Sequence, residues 1–407
     1  MTRALIVGGG VGGPIAAAAL KRAGLEPVVY EAHSGPGEGL GAFLALAPNG
    51  LAALRTVGML ERVRAAASFP TTRIEFVNGS GRRLGLLGGE DHLPAELRGV
   101  TINRAALQRA VADSAVDQGI RIEYGKRLAH YTESGSGVVA EFTDGSTAEG
   151  AVLVGADGIH SAVRRTLGPE GPSPSYVGLL GIGGYSPAVD AQPTPDATTR
   201  MVFGKRGFFG YQTAPSGETY WFGNLGHSRL TREEIAAHGD DVWKEYALEL
   251  FRGDLPDITR IMRACDPAAF RPLGIYDLAS LPHWHRGRAA LIGDAAHAVS
   301  PASGQGASLA AEDALVLARC LRDIRTVPEA LAAYEQERRD RVERIVAEGR
   351  RRGAQKAGSA NPAALLLRDL TMRVVFELAA RFGSHAWIHD YRVDFESRAA
   401  TSEGNQR

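Results

Sequence analysis

Apolar positions along this chain fall into two periods. Unbroken apolar runs at Ala4–Val7, Val28–Tyr30, Val152–Val154 and Ala289–Ile292 have the length of buried strands. Each stops at a glycine or an acid: Gly8, Glu31, Gly155 and Gly293. Helix-periodic stretches cover Pro14–Ala23, Arg104–Gln118, Ala307–Asp323, Pro328–Lys356 and Pro362–Phe382. Gly24 is placed to cap the first of these; Asn103 stands as N-cap of the second, with Gly119 past its end. Hairpins are predicted at Ile74–Val77 with the turn Asn78-Gly79-Ser80-Gly81, and at Val138–Phe142 with Asp144-Gly145. Another joins Tyr211–Thr213 to Tyr220–Phe222 across Ala214–Glu218, and Ile120–Tyr124 reads as a strand. From about Ser173 to His283 the helix period fades, so this middle is expected to be mostly β, with Pro187–Pro195 as a surface connection. No internal repeat is evident.

The expected class is α/β: a Rossmann-like nucleotide-binding domain, an inserted and mostly antiparallel β substrate domain, and C-terminal helices. The expected boundaries are 1–70, 101–172 and 285–327 for the discontinuous cofactor domain, 71–100 and 173–284 for the substrate domain, and 328–407 for the helical segment. Composition is that of a soluble globular chain: 407 residues, 44% hydrophobic and 23% charged. Lys+Arg and Asp+Glu balance at 46 each, so no net field recruits nucleic acid or an acidic membrane. Cys265 and Cys320 are too few for a disulfide framework, and His283 and His285 flank Trp284 with no third ligand, so no metal site is expected. The first strand begins within a few residues of Met1, and no uncharged run approaches about 18 apolar residues. A cytoplasmic monomer or homodimer without membrane contact is the expectation.

The chemistry concentrates at strand ends. Gly8, Gly10 and Gly13 fit G-x-G-x-x-G between the first strand and the first helix, and Glu31 ends the second strand about 20 residues on. Glycines let a pyrophosphate approach the backbone, the helix N-terminus supplies aligned amides, and the acid receives ribose hydroxyls. Gly155-Ala156-Asp157-Gly158, with Ser161 and Arg164 beyond, follows the third run and reads alone as an ordinary turn. Gly293-Asp294-Ala295-Ala296-His297, continued by Pro301-Ala302-Ser303-Gly304-Gln305-Gly306, follows the fourth and feeds a helix. Such a loop brings amides against an electron-rich ligand.

These three elements, in this order, resemble the single-component FAD-dependent aromatic hydroxylases of the para-hydroxybenzoate hydroxylase class. The likeness extends to Leu46-Ala47-Pro48-Asn49-Gly50, Asn103-Arg104-Ala105-Ala106-Leu107 and Glu312-Asp313, and covers about residues 1 to 350. It implies FAD held by Gly8, Gly10, Val11, Gly12, Gly13, Glu31, Arg104, Leu128, Asp157, Arg164 and Asp294. Pro301, Gly304, Gln305, Gly306 and Ala307 would pass beside the flavin ring. It further implies reduction by NADPH or NADH, reaction with O2 to a flavin hydroperoxide, and oxygen transfer to an aromatic or polyketide-like small molecule. No catalytic side chain is identified, because the flavin carries the chemistry; Arg206, Tyr211 and Trp221 are the candidate substrate-pocket residues. Arg206 reads equally as a solvated loop cation, and most of the aromatics as core. His297 reads as a hydrogen-bonding structural residue. A halogenase is disfavoured because no W-x-W-x-I-P occurs. A reductase, oxidase or epoxidase on the same fold, and a non-catalytic flavin-binding protein, remain open alternatives.

Overall fold

The computed structural model describes residues 2–36, 43–135, 137–189, 191, 193–214, 216–278, 280–354, 361–382 and 386–399. Asp190, Gln192, Pro215 and Lys356, which fall within the connection, turn and helix expected above, lie outside them.

The four apolar runs are the interior of one sheet. Its strand order is His285–Arg286, Ala289–Leu291, Val152–Gly155, Arg3–Val7, Glu26–Tyr30 and Arg121–Glu123, all parallel except the first. Leu5, Ile6, Val152, Leu153, Val154 and Leu291 are fully buried, as parallel strands covered on both faces must be. The helix Gly12–Arg22 covers this sheet and lies close against Gly306–Asp323. A Cβ on Gly12 would sit 3.4 Å from that of Ala310, so small residues on both helices let the backbones approach. The motif loops therefore emerge side by side at the carboxyl ends of neighbouring strands, where parallel sheets bind ligands.

A second, seven-stranded sheet runs Leu273–Asp277, Ser175–Ser186, Thr219–Gly226, Gly207–Thr213, Thr198–Phe203, Arg73–Asn78 and Arg83–Gly88. It is antiparallel apart from the pairing of Thr198–Phe203 with Arg73–Asn78, which brings the early hairpin into the later domain. The strands Phe43–Leu46 and Val100–Asn103 pair antiparallel beside it and lead into the helices Pro48–Thr56 and Arg104–Asp117.

The middle of the chain is mostly β, as expected, and also holds helices. Arg232–Ala236, Asp240–Leu250 and Pro256–Arg263 are helices. Local signals were there: Thr231 and Glu234 form a capping box, and Pro256 opens the third helix. Arg232–Ala236 and Pro256–Arg263, at 5 and 8 residues, are too short to establish a helical period. What holds them is burial of Trp243, Phe251, Ile258, Ile261 and Met262 against one face of the sheet. At the C terminus, Val327–Ala354 and Pro362–Phe382 are helical as the periodicity predicts. Among the described residues no helix is long and apolar enough to cross a membrane, and no group of three or more His, Cys, Asp or Glu is placed to hold a metal ion.

Candidate cofactor cleft and active site

The first loop is built from glycines with different jobs. Gly8 has φ of +111°, and a Cβ there would lie 2.4 Å from the Ala156 carbonyl oxygen of the neighbouring loop. A Cβ on Gly13 would lie 1.9 Å from the Gly8 carbonyl oxygen, so only glycine lets helix and strand close together. Gly10 has open space where its Cβ would be, which leaves its backbone approachable by a ligand. The helix beyond has no side-chain cap at Val11, so its first amides and positive dipole end are unclaimed by a capping group. Glu31 is buried at the loop's flank. Its carboxylate accepts from Gly9 N at 2.5 Å and from His33 N at 2.8 Å, while Gln108 Nε2 donates to the Gly9 carbonyl at 3.1 Å. Leu128 is buried opposite Phe142, two residues beyond Lys126, whose amide donates to the Glu31 carbonyl.

In the second loop the carboxylate of Asp157 turns inward. It accepts from Ser161 Oγ at 2.5 Å and from the amides of Ala162 and Val163 at 2.6 and 3.1 Å, capping the helix Ala162–Leu167. Burial raises its pKa, and these bonds pull it back. Arg164 is buried and donates to the carbonyls of Ala295 at 3.0 Å and Ile159 at 2.5 Å. These two side chains thus shape the cleft by tying the second loop to the third.

The third loop carries the most telling side chain. Asp294 is open to solvent, yet surrounding protein raises its carboxyl pKa through burial, against the pull of His297 and Arg104. Arg104, exposed at the first turn of its helix, reaches it electrostatically, and among the described residues neither makes a hydrogen bond or ion pair with protein. Gly304 adopts the left-handed conformation at φ +63°, and Gln305 gives the helix Gly306–Asp323 no side-chain cap. Gly306 has an ordinary helical φ, and a Cβ there would meet only Val299 at 3.6 Å and Asp294 at 3.8 Å. Pro301 and Gly304 are exposed and Gly306 and Ala307 half-buried, leaving an open backbone face beside Asp294.

Beneath this loop lies a buried charge network that sequence reasoning did not find. Asp313 accepts from Gly293 N at 3.0 Å, His297 Nε2 lies 2.5 Å from it, and Arg338 Nε donates to it at 2.9 Å. Glu312 accepts from Asn49 Nδ2 at 2.7 Å and Arg341 Nη2 at 2.8 Å, and pairs with Arg338 Nη2 at 2.7 Å. Asn49 Nδ2 also donates to Gln305 Oε1 at 2.9 Å, and His297 packs against Trp284 at 5.1 Å between ring centroids. The acids belong to the recognised motif. Arg338 lies on the buried stripe of its helix with Tyr334, Val342 and Ile345, and a charge on an apolar stripe was the legible sign.

The three candidate substrate-pocket residues are misplaced. Arg206 pairs with Glu249 on the exterior, 3.7 Å between charged atoms. Tyr211 and Trp221 are fully buried against the short helices: the Tyr211 hydroxyl accepts from Arg200 at 3.0 Å, and Trp221 Nε1 contacts Cys265 Sγ at 3.0 Å. Side chains alternate along a strand, so their neighbours take the other face. Tyr220 meets Phe43 and Phe69 at 5.4 and 5.1 Å, and Phe222 meets Phe43 and Phe208 at 6.1 and 6.0 Å. Gly210 makes room for the Phe222 ring, which a Cβ there would approach to 2.4 Å. Tyr185 packs on Tyr220 at 4.5 Å and accepts a hydrogen bond from Asn103, the residue preceding Arg104. This aromatic face is thus tied through Asn103 to the start of the helix that carries Arg104.

The arrangement fits an extended dinucleotide with a ring system at one end. Buried Glu31 flanks the open backbone of Gly10 and the uncapped helix Gly12–Arg22, while exposed Asp294 and Arg104 and the backbone of residues 301–307 line the third loop. If Glu31 holds the ribose, Glu31→Ala should weaken FAD binding with the fold intact, and Glu31→Gln should do so less, since an amide keeps one accepting oxygen. Titration of the two apoproteins with FAD checks this; unchanged affinity in Glu31→Ala would refute the assignment.

A family model described as "FAD binding domain" matches residues 1–349. The FAD-dependent urate hydroxylase of Klebsiella pneumoniae is 31% identical over 360 residues, 86% of this chain and 89% of that protein. The aurachin C monooxygenase/isomerase of Stigmatella aurantiaca is 32% identical over 373 residues, 91% and 94% of the two chains. A solved structure of Klebsiella pneumoniae HpxO complexed with FAD and uric acid superposes with a TM-score of 0.80 at 28% identity, covering 92% of this chain and 93% of the other.

Proposed function

This chain belongs to the FAD binding domain family, among the flavin-dependent aromatic hydroxylases and monooxygenases, and from that membership we propose that it uses NADPH or NADH and O2 to hydroxylate an aromatic or polyketide-like small molecule. The observation that carries this reading is the pair Asp294 and Arg104, without a hydrogen bond or ion pair among the described residues, in front of the uncapped helix Gly306–Asp323.

Bound FAD supplies two-electron chemistry and the activation of O2. The chain supplies position and field. Glu31 and Asp294 would accept hydrogen bonds from hydroxyls of the cofactor's ribose and ribityl chain, and Arg104 would offer its guanidinium to the phosphate side. The amides and positive dipole end beginning at Gly306 would favour negative charge beside them. Phe43, Tyr220 and Phe222 give a flat substrate an apolar wall and keep water from the reacting face.

A reduced nicotinamide dinucleotide has no glycine fingerprint of its own here. A cavity of about 360 Å³ lined by His160, Arg164, Arg165, Arg229 and Tyr276 opens behind the Asp157 turn, and cations at this density suit its phosphates. Arg229→Glu is expected to raise KM for the dinucleotide about tenfold or more, with kcat nearly unchanged, from loss of a charge-assisted contact. Steady-state kinetics decide; an unchanged KM removes the cavity from the reading. The activity itself is tested by NAD(P)H oxidation across a panel of aromatic compounds, with mass analysis of products. Stimulated oxidation and a product heavier by one oxygen atom are expected. Stoichiometric FAD with no dinucleotide oxidation under any compound would favour a non-catalytic flavoprotein.

A further inference from the structure

Of the ten large hydrophobic residues exposed among the described residues, six lie on one helix, Pro362–Phe382: Leu366, Leu367, Leu370, Val374, Val375 and Leu378, at 49 to 72% exposure. A seventh, Leu86, is on the edge strand that this helix packs against. Leu366, Leu370, Val374 and Leu378 recur every four residues and form one ridge, with Leu367 and Val375 beside it.

The helix is held firmly by its other side. Phe376 stacks on Phe76 at 4.3 Å and 16°, and Met372 is buried with Leu84 and Phe208. Asp369 accepts from Asn78 at 2.8 Å, and Arg368 donates to the carbonyls of Phe203 and Gly204 at 3.0 and 2.9 Å. The outward face is therefore set by anchoring of the inward one.

We propose that this face is the interface of a two-fold homodimer, the helix Pro362–Phe382 pairing antiparallel with its copy. Six half- to three-quarter-exposed Leu and Val side chains leave on the order of 600 Å² of apolar surface, at the upper limit for a monomer's largest patch and close to what each partner buries in a stable complex. The ridge is self-complementary, as a two-fold contact requires. An axis between Leu370 and Thr371 sets Leu367 against the second copy's Val374, and Leu366 against its Val375. A lipid surface fits less well. The exposed polar side chains described on this helix are Thr371, Arg373 and Glu377, of mixed sign and without the basic rim of membrane-surface helices.

The FAD-loaded full chain is tested by sedimentation equilibrium from about 1 to 50 µM, a range that resolves dimers of this interface size. The expected mass is twice the 43.2 kDa of one chain. Leu370→Glu, at an exposed helix position, should fold and keep its flavin while dissociation rises about 100-fold, as for a central interface residue. Thr371→Cys should cross-link between copies on mild oxidation, and Val116→Cys, exposed on another helix, should not. A single-chain mass throughout, a dimer that Leu370→Glu leaves intact, or no cross-link at Thr371→Cys overturns the assignment. So does a monomer that pellets with phosphatidylserine-containing vesicles, which would hand the face to lipid.

Discussion

Asp294→Ala is expected to yield a folded but nearly colourless protein. Among the described residues the carboxylate of Asp294 has no hydrogen-bond partner, so its acceptor capacity is available to ligand hydroxyls, and removing a charged hydrogen-bond partner costs about 1.5–3 kcal/mol. That corresponds to a roughly 10- to 150-fold rise in the FAD dissociation constant. The acidity of this group supplies a second signature. Burial raises the Asp294 pKa in the free protein, and hydroxyl donors bind the ionised form better, so FAD affinity should increase as pH is raised through that elevated value. Asp294→Asn keeps an accepting oxygen, loses less affinity, and abolishes this pH dependence. Fluorescence titration of the apoproteins, with circular dichroism as the folding control, measures all three. Wild-type affinity in Asp294→Ala would place the ribityl chain elsewhere.

Arg338→Met is expected to destabilise the protein more than any surface substitution. Arg338 is fully buried between Glu312 and Asp313, and breaking such a pair from one side costs about 3–5 kcal/mol because the acids remain buried with less compensation. Arg338→Lys keeps the charge without the planar fork and should recover part of the loss. The pH dependence has a definite sign. Burial works to raise the Asp313 pKa, but His297 and Arg338 outweigh it and hold the carboxyl down at about 2. A depressed acid contributes stability that is present above its unfolded pKa near 4 and is lost as pH falls through its folded value. Without Arg338 the folded value moves up, so this contribution shrinks. Denaturant unfolding between about pH 5 and 8 should show the deficit throughout the range, where an unpaired Asp313 is still ionised. A loss below about 1 kcal/mol, the scale of an exposed pair, would show that Arg341 and His297 suffice. Because Gly293 N donates to Asp313, and Gln305 is tied through Asn49 to Glu312, flavin retention should fall together with stability.

The motif loops were legible because their constraints are local. Gly8 and Gly304 need positive φ, Gly13 has no room for a Cβ, and Asn103 caps its helix by accepting from Ala106 N. In the third loop the left-handed position is Gly304, while Gly306 is an ordinary first-turn helical residue. The substrate face was not legible for a different reason. Strands with both faces covered lose the apolar–polar alternation that tells inside from outside. Tyr211 and Trp221 thus look like Tyr220 and Phe222 in sequence, and only the packing of the helices at 240–263 onto one side separates them.

The sequence by itself determined where the backbone is left open to close approach. Strand, glycines, helix and acid are consecutive, and a φ angle or a missing Cβ is a property of one residue and its nearest neighbours. Tertiary structure decided which groups support that loop and which face it. Arg338 reaches Asp313 from 25 positions away, and Arg341 reaches Glu312 from 29. Such pairings depend on how separate elements pack, and no spacing along the chain encodes them.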